Sequence, residues 1–90
     1  MKVSRKVVVK NGLGLHTRPA TLIVKMLQKK KSRVFFTLKK ITVNAKSILS
    51  LLMLAATKNS KVTITCEGDD AEATLEELAA VFDNEFGENP

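Results

Sequence analysis

His16 is the one histidine in 90 residues, and its neighbours bear on what it can do. It follows Gly14-Leu15 and directly precedes a helix-like segment whose first turn contains Arg18 and Pro19. A helix start presents unpaired N–H groups and the positive end of the backbone dipole. An anion held there gains roughly 0.3–1 kcal/mol, and ~2 in a favourable geometry. Arg18 adds a fixed cation whose forked donors suit phosphate oxygens. An imidazole is near-neutral at physiological pH and can act as a nucleophile. These residues together describe a place where a ring nitrogen could accept a phosphoryl group and hold it without quick hydrolysis. The plainer reading is a surface or capping histidine, the usual role of a lone histidine beside a helix start.

Ser47 is the second candidate. It sits where a helix N-cap is expected, and most such serines only satisfy an orphan N–H. Lys46 precedes it, and the segment after it is oddly apolar: Ile48, Leu49, Leu51, Leu52, Met53 and Leu54. So short a helix can bury only one stripe. If Leu51 and Leu54 point inward, Ile48, Leu49 and Leu52 stay near the surface as an apolar patch, which more often marks a protein partner than a small-molecule site. A phosphate on Ser47 would add about −1.5 to −2 charges beside that patch and disrupt docking onto an acidic partner. Other residues offer less. Cys66 lies on the apolar face of a strand and reads as an inert core thiol. Gly12-x-Gly14 lacks the rest of a dinucleotide or P-loop motif. Lys29-Lys30-Lys31 reads as a solvated helix end.

The elements that must position these groups follow from periodicity. Val3–Val9 is β-branched and predicts a strand, ended by the turn residues Asn11-Gly12-Leu13-Gly14. Thr17 to about Lys29 is helical, with Ala20, Ile23, Val24 and Leu27 on one face and Pro19 tolerated in the first turn. Arg33–Leu38 and Ile41–Val43 are short strands joined near Lys39-Lys40. Ser47–Ala56 is a short helix, and Lys61–Cys66 alternates Val62, Ile64 and Cys66 against Thr63 and Thr65. A last helix begins at Asp69 or Asp70, with Asp69 and Glu72 spaced as a capping box. Leu75, Leu78, Ala79, Phe82 and Phe86 form its buried stripe, and Glu85–Pro90 is expected to fray. The order β-α-β-β-α-β-α fits an α+β two-layer open-faced sandwich, a four-stranded antiparallel sheet with three helices on one face.

Ninety residues is the size of one domain with one core, so residues 1–90 are read as a single unit. A lone cysteine excludes an internal disulfide and a cysteine-clustered metal site, and favours a reducing compartment. The N-terminus carries no apolar stretch of signal-peptide length, and the longest apolar run, Leu51–Ala56, is far too short to span a membrane. The expectation is a soluble cytoplasmic protein. Charge is strongly polarised: all fifteen basic residues lie between Lys2 and Lys61 and all nine acidic ones between Glu67 and Glu88, leaving a net +6. Such a surface attracts anions or acidic proteins, unless the acidic segment compensates it internally.

At Gly14-Leu15-His16-Thr17-Arg18-Pro19-Ala20 the sequence resembles the active-site segment of the HPr family, the phosphocarriers of the bacterial phosphoenolpyruvate-dependent sugar phosphotransferase system. Asn44-Ala45-Lys46-Ser47-Ile48 is similar to the family's regulatory-serine segment, at the expected separation. The resemblance runs from about Val3 to Phe86. It implies a carrier, not an enzyme: His16 would take a phosphoryl group from enzyme I and pass it to enzyme II A domains, with Arg18 stabilising it. Ser47 would be the target of a serine kinase and phosphorylase. Thr17, Thr21, Ile48, Leu49, Leu52 and Met53 would form the docking face. No cofactor or metal is implied, and the chain would act as a monomer. Ala55 stands where the family commonly has glycine, and Leu22 where a polar residue is frequent; the Phe35-Phe36 strand and Lys39-Lys40 turn are also unusual.

Two alternatives compete. One is a mainly regulatory module that binds proteins through the Ile48–Leu52 patch; retention of His16 argues against a role without phosphotransfer. The other is a small basic nucleic-acid-binding domain, disfavoured because the chain has no Tyr or Trp and its strands lack a base-stacking pattern.

Overall fold

The computed structural model describes residues 1–88. Lys2–Val8 (β1) pairs antiparallel with Lys61–Glu67 (β4), and β4 pairs on its other side with Arg33–Leu38 (β2). β2 in turn pairs with Ile41–Asn44 (β3), which gives the order β1-β4-β2-β3. The chain thus makes a four-stranded antiparallel sheet, as expected. The central strand β4 has the cleanest alternation: Val62, Ile64 and Cys66 are buried and the intervening threonines are half-buried. Burial pushes the Cys66 thiol up to about 11, with the nearby Asp70 charge adding to the effect. It is a core group, as its strand position suggested.

Three helices, Thr17–Leu27 (α1), Ile48–Leu54 (α2) and Ala71–Asp83 (α3), cover one face of the sheet. Ala20, Ile23 and Leu27 of α1, Leu51 and Leu54 of α2, and Leu75, Leu78 and Phe82 of α3 meet Val34, Phe36, Val62 and Ile64 in a single core. Phe82 stands edge-on to Phe36 and to Phe86, with centroids 5.6 and 4.9 Å apart. Acidic residues of α3 pair with the basic first half of the chain, Glu76 with Arg5, Glu77 with Lys30 and Asp83 with Lys10. Internal compensation is therefore part of the charge pattern, although exposed pairs of this kind contribute little stability.

The start of α3 departs from expectation. Asp70 is its N-cap, the Asp69–Glu72 capping box does not form, and the Asp70 side chain makes no cap bond. Its carboxylate instead accepts the Lys31 and Ser32 amides, at 2.8 and 2.9 Å, and the Ser32 hydroxyl. Those amides lie in the turn between α1 and β2 and precede the sheet ladder, so the aspartate satisfies donors that no strand can reach. The bond from the Ser32 hydroxyl, then that from the Lys31 amide, lowers the Asp70 carboxyl from 3.8 to about 2. A folded-state value below the unfolded one stabilises the fold above pH 3.8, and that stability drains away as the pH falls through about 2. Urea midpoints measured across this acid range should decline less steeply for Asp70→Asn than for the parent; parallel curves would show that Asp70 does not carry the effect.

Two further expectations change. Ala79 is only half-buried, its place in the stripe being taken by Ala71 and Thr74. The segment from Glu85 does not fray within the described residues. Glu85–Gly87 forms a short 3-10 segment, with φ of 54°, 56° and 74° at Glu85, Phe86 and Gly87. Three consecutive left-handed residues turn the chain back, so Phe86 is buried from beyond the helix and not as part of its stripe. The expected fraying of Asn89 and Pro90 lies outside the described residues.

α2 ends at Ala55 in the left-handed conformation, φ 56° and ψ 38°. An L side chain is strained there by about 1–2 kcal/mol, and a glycine would relieve the strain while losing about 0.5–1 kcal/mol of unfolded-chain entropy. Ala55→Gly should therefore stabilise the fold by about 0.5–1 kcal/mol. A chemical denaturation midpoint that stays put or falls would contradict this.

Candidate functional site

His16 is the N-cap of α1, with extended backbone, and its carbonyl accepts the first intrahelical bond from Ala20 at 3.1 Å. Its side chain makes no cap bond. The amides of Thr17 and Arg18 precede that first bond, and Pro19 has no N–H to offer. The imidazole therefore stands beside open donors, as its sequence position implied.

Gly14 makes this placement possible. Its φ is 69°, and a β-carbon there would collide with the Ala56 carbonyl. With nothing but hydrogen at that point, the loop lies flat on the segment after α2, and the Leu15 N–H donates to the Ala56 carbonyl at 2.9 Å. The loop that carries His16 is thereby pinned to the end of α2, and α1 and α2 pack together.

The decisive neighbour comes from far along the chain. His16 Nε2 lies 2.8 Å from Glu88 Oε2, although the residues are 72 positions apart. The second oxygen, Glu88 Oε1, accepts from Asn11 Nδ2 at 2.9 Å. The same amide nitrogen donates to the Gly14 carbonyl at 2.7 Å, so Asn11 braces both the loop and the carboxylate. The imidazole is 33% exposed and the Glu88 side chain only 12%. Gly12, Leu13, His16, Arg18 and Glu88 line one open depression of about 430 Å³. Arg18 also borders a second one, with Thr21, Leu22, Lys25 and Phe86. The expected His16–Arg18 pair is thus brought together in one depression, with the Glu88 carboxylate beside it. Sequence reading missed Glu88 and Asn11, the first because it sits in a segment expected to fray, the second because Asn-Gly reads as a turn. No local signal singles out either residue for a site.

Ser47 is the N-cap of α2, and its hydroxyl oxygen accepts the Ser50 N–H at 3.2 Å. Lys46 Nζ donates to the Lys30 carbonyl at 2.9 Å. Leu51 and Leu54 point inward, while Ile48, Leu49, Leu52 and Met53 are exposed, Leu49 by 68% and Met53 by 70%. Thr17 is exposed and Thr21 half-buried, the Thr21 hydroxyl donating to the Thr17 carbonyl at 2.8 Å. Among the described residues, no three histidine, cysteine or carboxylate side chains gather as a metal would need. No helix among them is long and apolar enough to cross a membrane.

The family model described as the PTS HPr component phosphorylation site matches residues 3–84. The chain belongs to the HPr family. It is similar to the phosphocarrier protein HPr of Chlamydia muridarum, 40% identical over 80 residues that cover 89% of this chain and 77% of that one. It is as close to the HPr-like protein Crh of Bacillus subtilis, 40% identical over 92% of this chain and 98% of the other. Its fold superposes on the crystal structure of HPr-C-His from Thermoanaerobacter tengcongensis with a TM-score of 0.93, at 33% identity and covering 98% and 99% of the two chains. Proteins of the HPr family are phosphoryl carriers and not catalysts in their own right, and this chain is accordingly a carrier in the phosphotransferase relay.

Proposed function

We propose that His16 is the residue of this HPr-family chain that carries the phosphoryl group, taking it from enzyme I and giving it up to enzyme II A domains. The observation that supports this best is the hydrogen bond to Glu88. A carboxylate can only accept, so the proton of the neutral ring sits on Nε2 and the lone pair on Nδ1. Nδ1 is then the attacking nitrogen. Arg18 and the open amides at the start of α1 balance the charge of the bound group.

Docking involves Thr17, Thr21, Ile48, Leu49, Leu52 and Met53, the threonines beside His16 and the apolar residues on α2. Ser47 is the regulatory serine, acted on by a kinase and a phosphorylase. A phosphate there adds about −1.5 to −2 charges at the edge of the patch and opposes docking onto an acidic partner. The similar Bacillus subtilis protein Crh is named for catabolite repression, which favours a regulatory role here through the same patch and the same serine. A nucleic-acid role gains no support: the uncovered face of the sheet carries Ser4, Thr37, Thr42 and Thr65 around a single aromatic, Phe35. The chain works as a monomer, with its relay partners in the cytoplasm.

Incubation with phosphoenolpyruvate and a bacterial enzyme I should add one phosphoryl group to the intact mass, and mild acid should remove it. No gain beside an active control carrier would reject the assignment.

A further inference from the structure

His16 Nε2, Glu88 and Asn11 form a chain of hydrogen bonds. Its construction is specific. The backbone reaches His16 only through three consecutive left-handed residues, Glu85 to Gly87, two of which have side chains. Burial of Phe86 against Phe82 holds that turn in place. Asn11, itself buried, fixes the far oxygen of the carboxylate. The result is a nearly buried anion held against the ring nitrogen that does not attack.

We propose that Glu88 is a positioning residue for phosphoryl transfer: its carboxylate keeps the proton on Nε2 of His16 throughout the cycle, so that the phosphorylated ring stays an imidazolium. The inference rests on His16 being the acceptor. In the forward step the Nδ1 lone pair attacks phosphorus and the Nδ1–P bond forms. The P–N bond of the donor phosphohistidine breaks, and its electron pair stays on the donor ring, which leaves as neutral imidazole if its other nitrogen is protonated. His16 gains one positive charge and keeps its Nε2 proton, now shared with an anionic partner, and no proton enters or leaves solvent. In the onward step the Nδ1–P bond breaks and His16 departs as neutral imidazole. A ring that had lost the Nε2 proton would have to leave as an imidazolate, a far poorer leaving group. A charge-assisted hydrogen bond is about twice as strong as a neutral one, and here it is strongest in the charged form that transfer requires.

Glu88→Gln and Glu88→Ala separate charge from position. Onward transfer from phosphorylated carrier to a purified enzyme II A domain should slow roughly tenfold in kcat for Glu88→Gln, with KM unchanged, and at least as much for Glu88→Ala. Imidazole 15N shifts of the unphosphorylated proteins should report the Nε2–H tautomer in the parent and a mixture in Glu88→Ala, a readout that a purely structural role would leave alone. Thermal melts of both variants serve to establish that they fold. Variants with the parent's kcat and tautomer would overturn the proposal, and so would a faster Glu88→Ala, which would make Glu88 a cover over the ring. If the parent itself takes no phosphoryl group, the carrier assignment of His16 fails and this inference with it. If the parent is labelled normally and the variants match it, only the role of Glu88 fails.

Discussion

Replacing His16 with alanine is expected to abolish phosphoryl uptake from enzyme I while the protein stays folded. The loss should be complete, because His16 is the only histidine and, among the described residues, no other side chain lining the depression offers a nitrogen lone pair. Arg18 is always protonated, and Glu88 is a carboxylate whose second oxygen is engaged by Asn11. The fold should tolerate the change to within about 1 kcal/mol, since the imidazole is partly exposed and caps no helix N–H. Intact mass after incubation with phosphoenolpyruvate and enzyme I gives the first readout, and a thermal melt gives the second. Undiminished acid-labile labelling of a folded His16→Ala protein would place the phosphoryl group elsewhere and remove the foundation of the functional reading.

Leu49→Glu should weaken association with enzyme I by at least about tenfold in Kd without harming the carrier's own stability. Leu49 is the second residue of α2 and more than two-thirds exposed, so it contributes almost nothing to the core. A glutamate at that position even suits the helix dipole. At an interface the sign reverses. Burying a leucine gains about 1.5–3 kcal/mol, whereas an unpaired carboxylate brought out of water costs energy. Isothermal titration of both proteins against enzyme I tests this. An unchanged Kd would mean that the docking face lies elsewhere, and reduced stability would mean that Leu49 packs more than its exposure implies. The change should leave the mass gain at saturating enzyme I intact, which separates docking from chemistry.

Much of this protein was legible in the chain alone. The alternation of Val62, Ile64 and Cys66, and the spacing of Ala20, Ile23 and Leu27, are periodicities that each element writes into its own residues. His16, Arg18 and Pro19 were readable as a unit because a helix start and its first turn are local, and so was Ser47 as a cap. The exposed face of α2 followed from counting: six apolar residues on a helix that can bury one stripe leave a remainder outside.

What the tertiary structure alone decided is everything that joins distant segments. The last helix was expected to be capped by a box of Asp69 and Glu72; its N-cap is instead Asp70, whose carboxylate serves the Lys31 and Ser32 amides, 39 and 38 positions earlier in the chain. Phe86 falls four residues after Phe82 and so mimics a further helical turn, but a left-handed reversal carries it into the core. That reversal sets Glu88 against His16, and Asn11 completes the contact from a third segment. Propensity and periodicity express how a residue treats its near neighbours in sequence. A charge held against a ring 72 positions away depends on where the folded sheet and helices leave the loop before α1 and the segment after α3, and no stretch of sequence around either residue encodes that meeting.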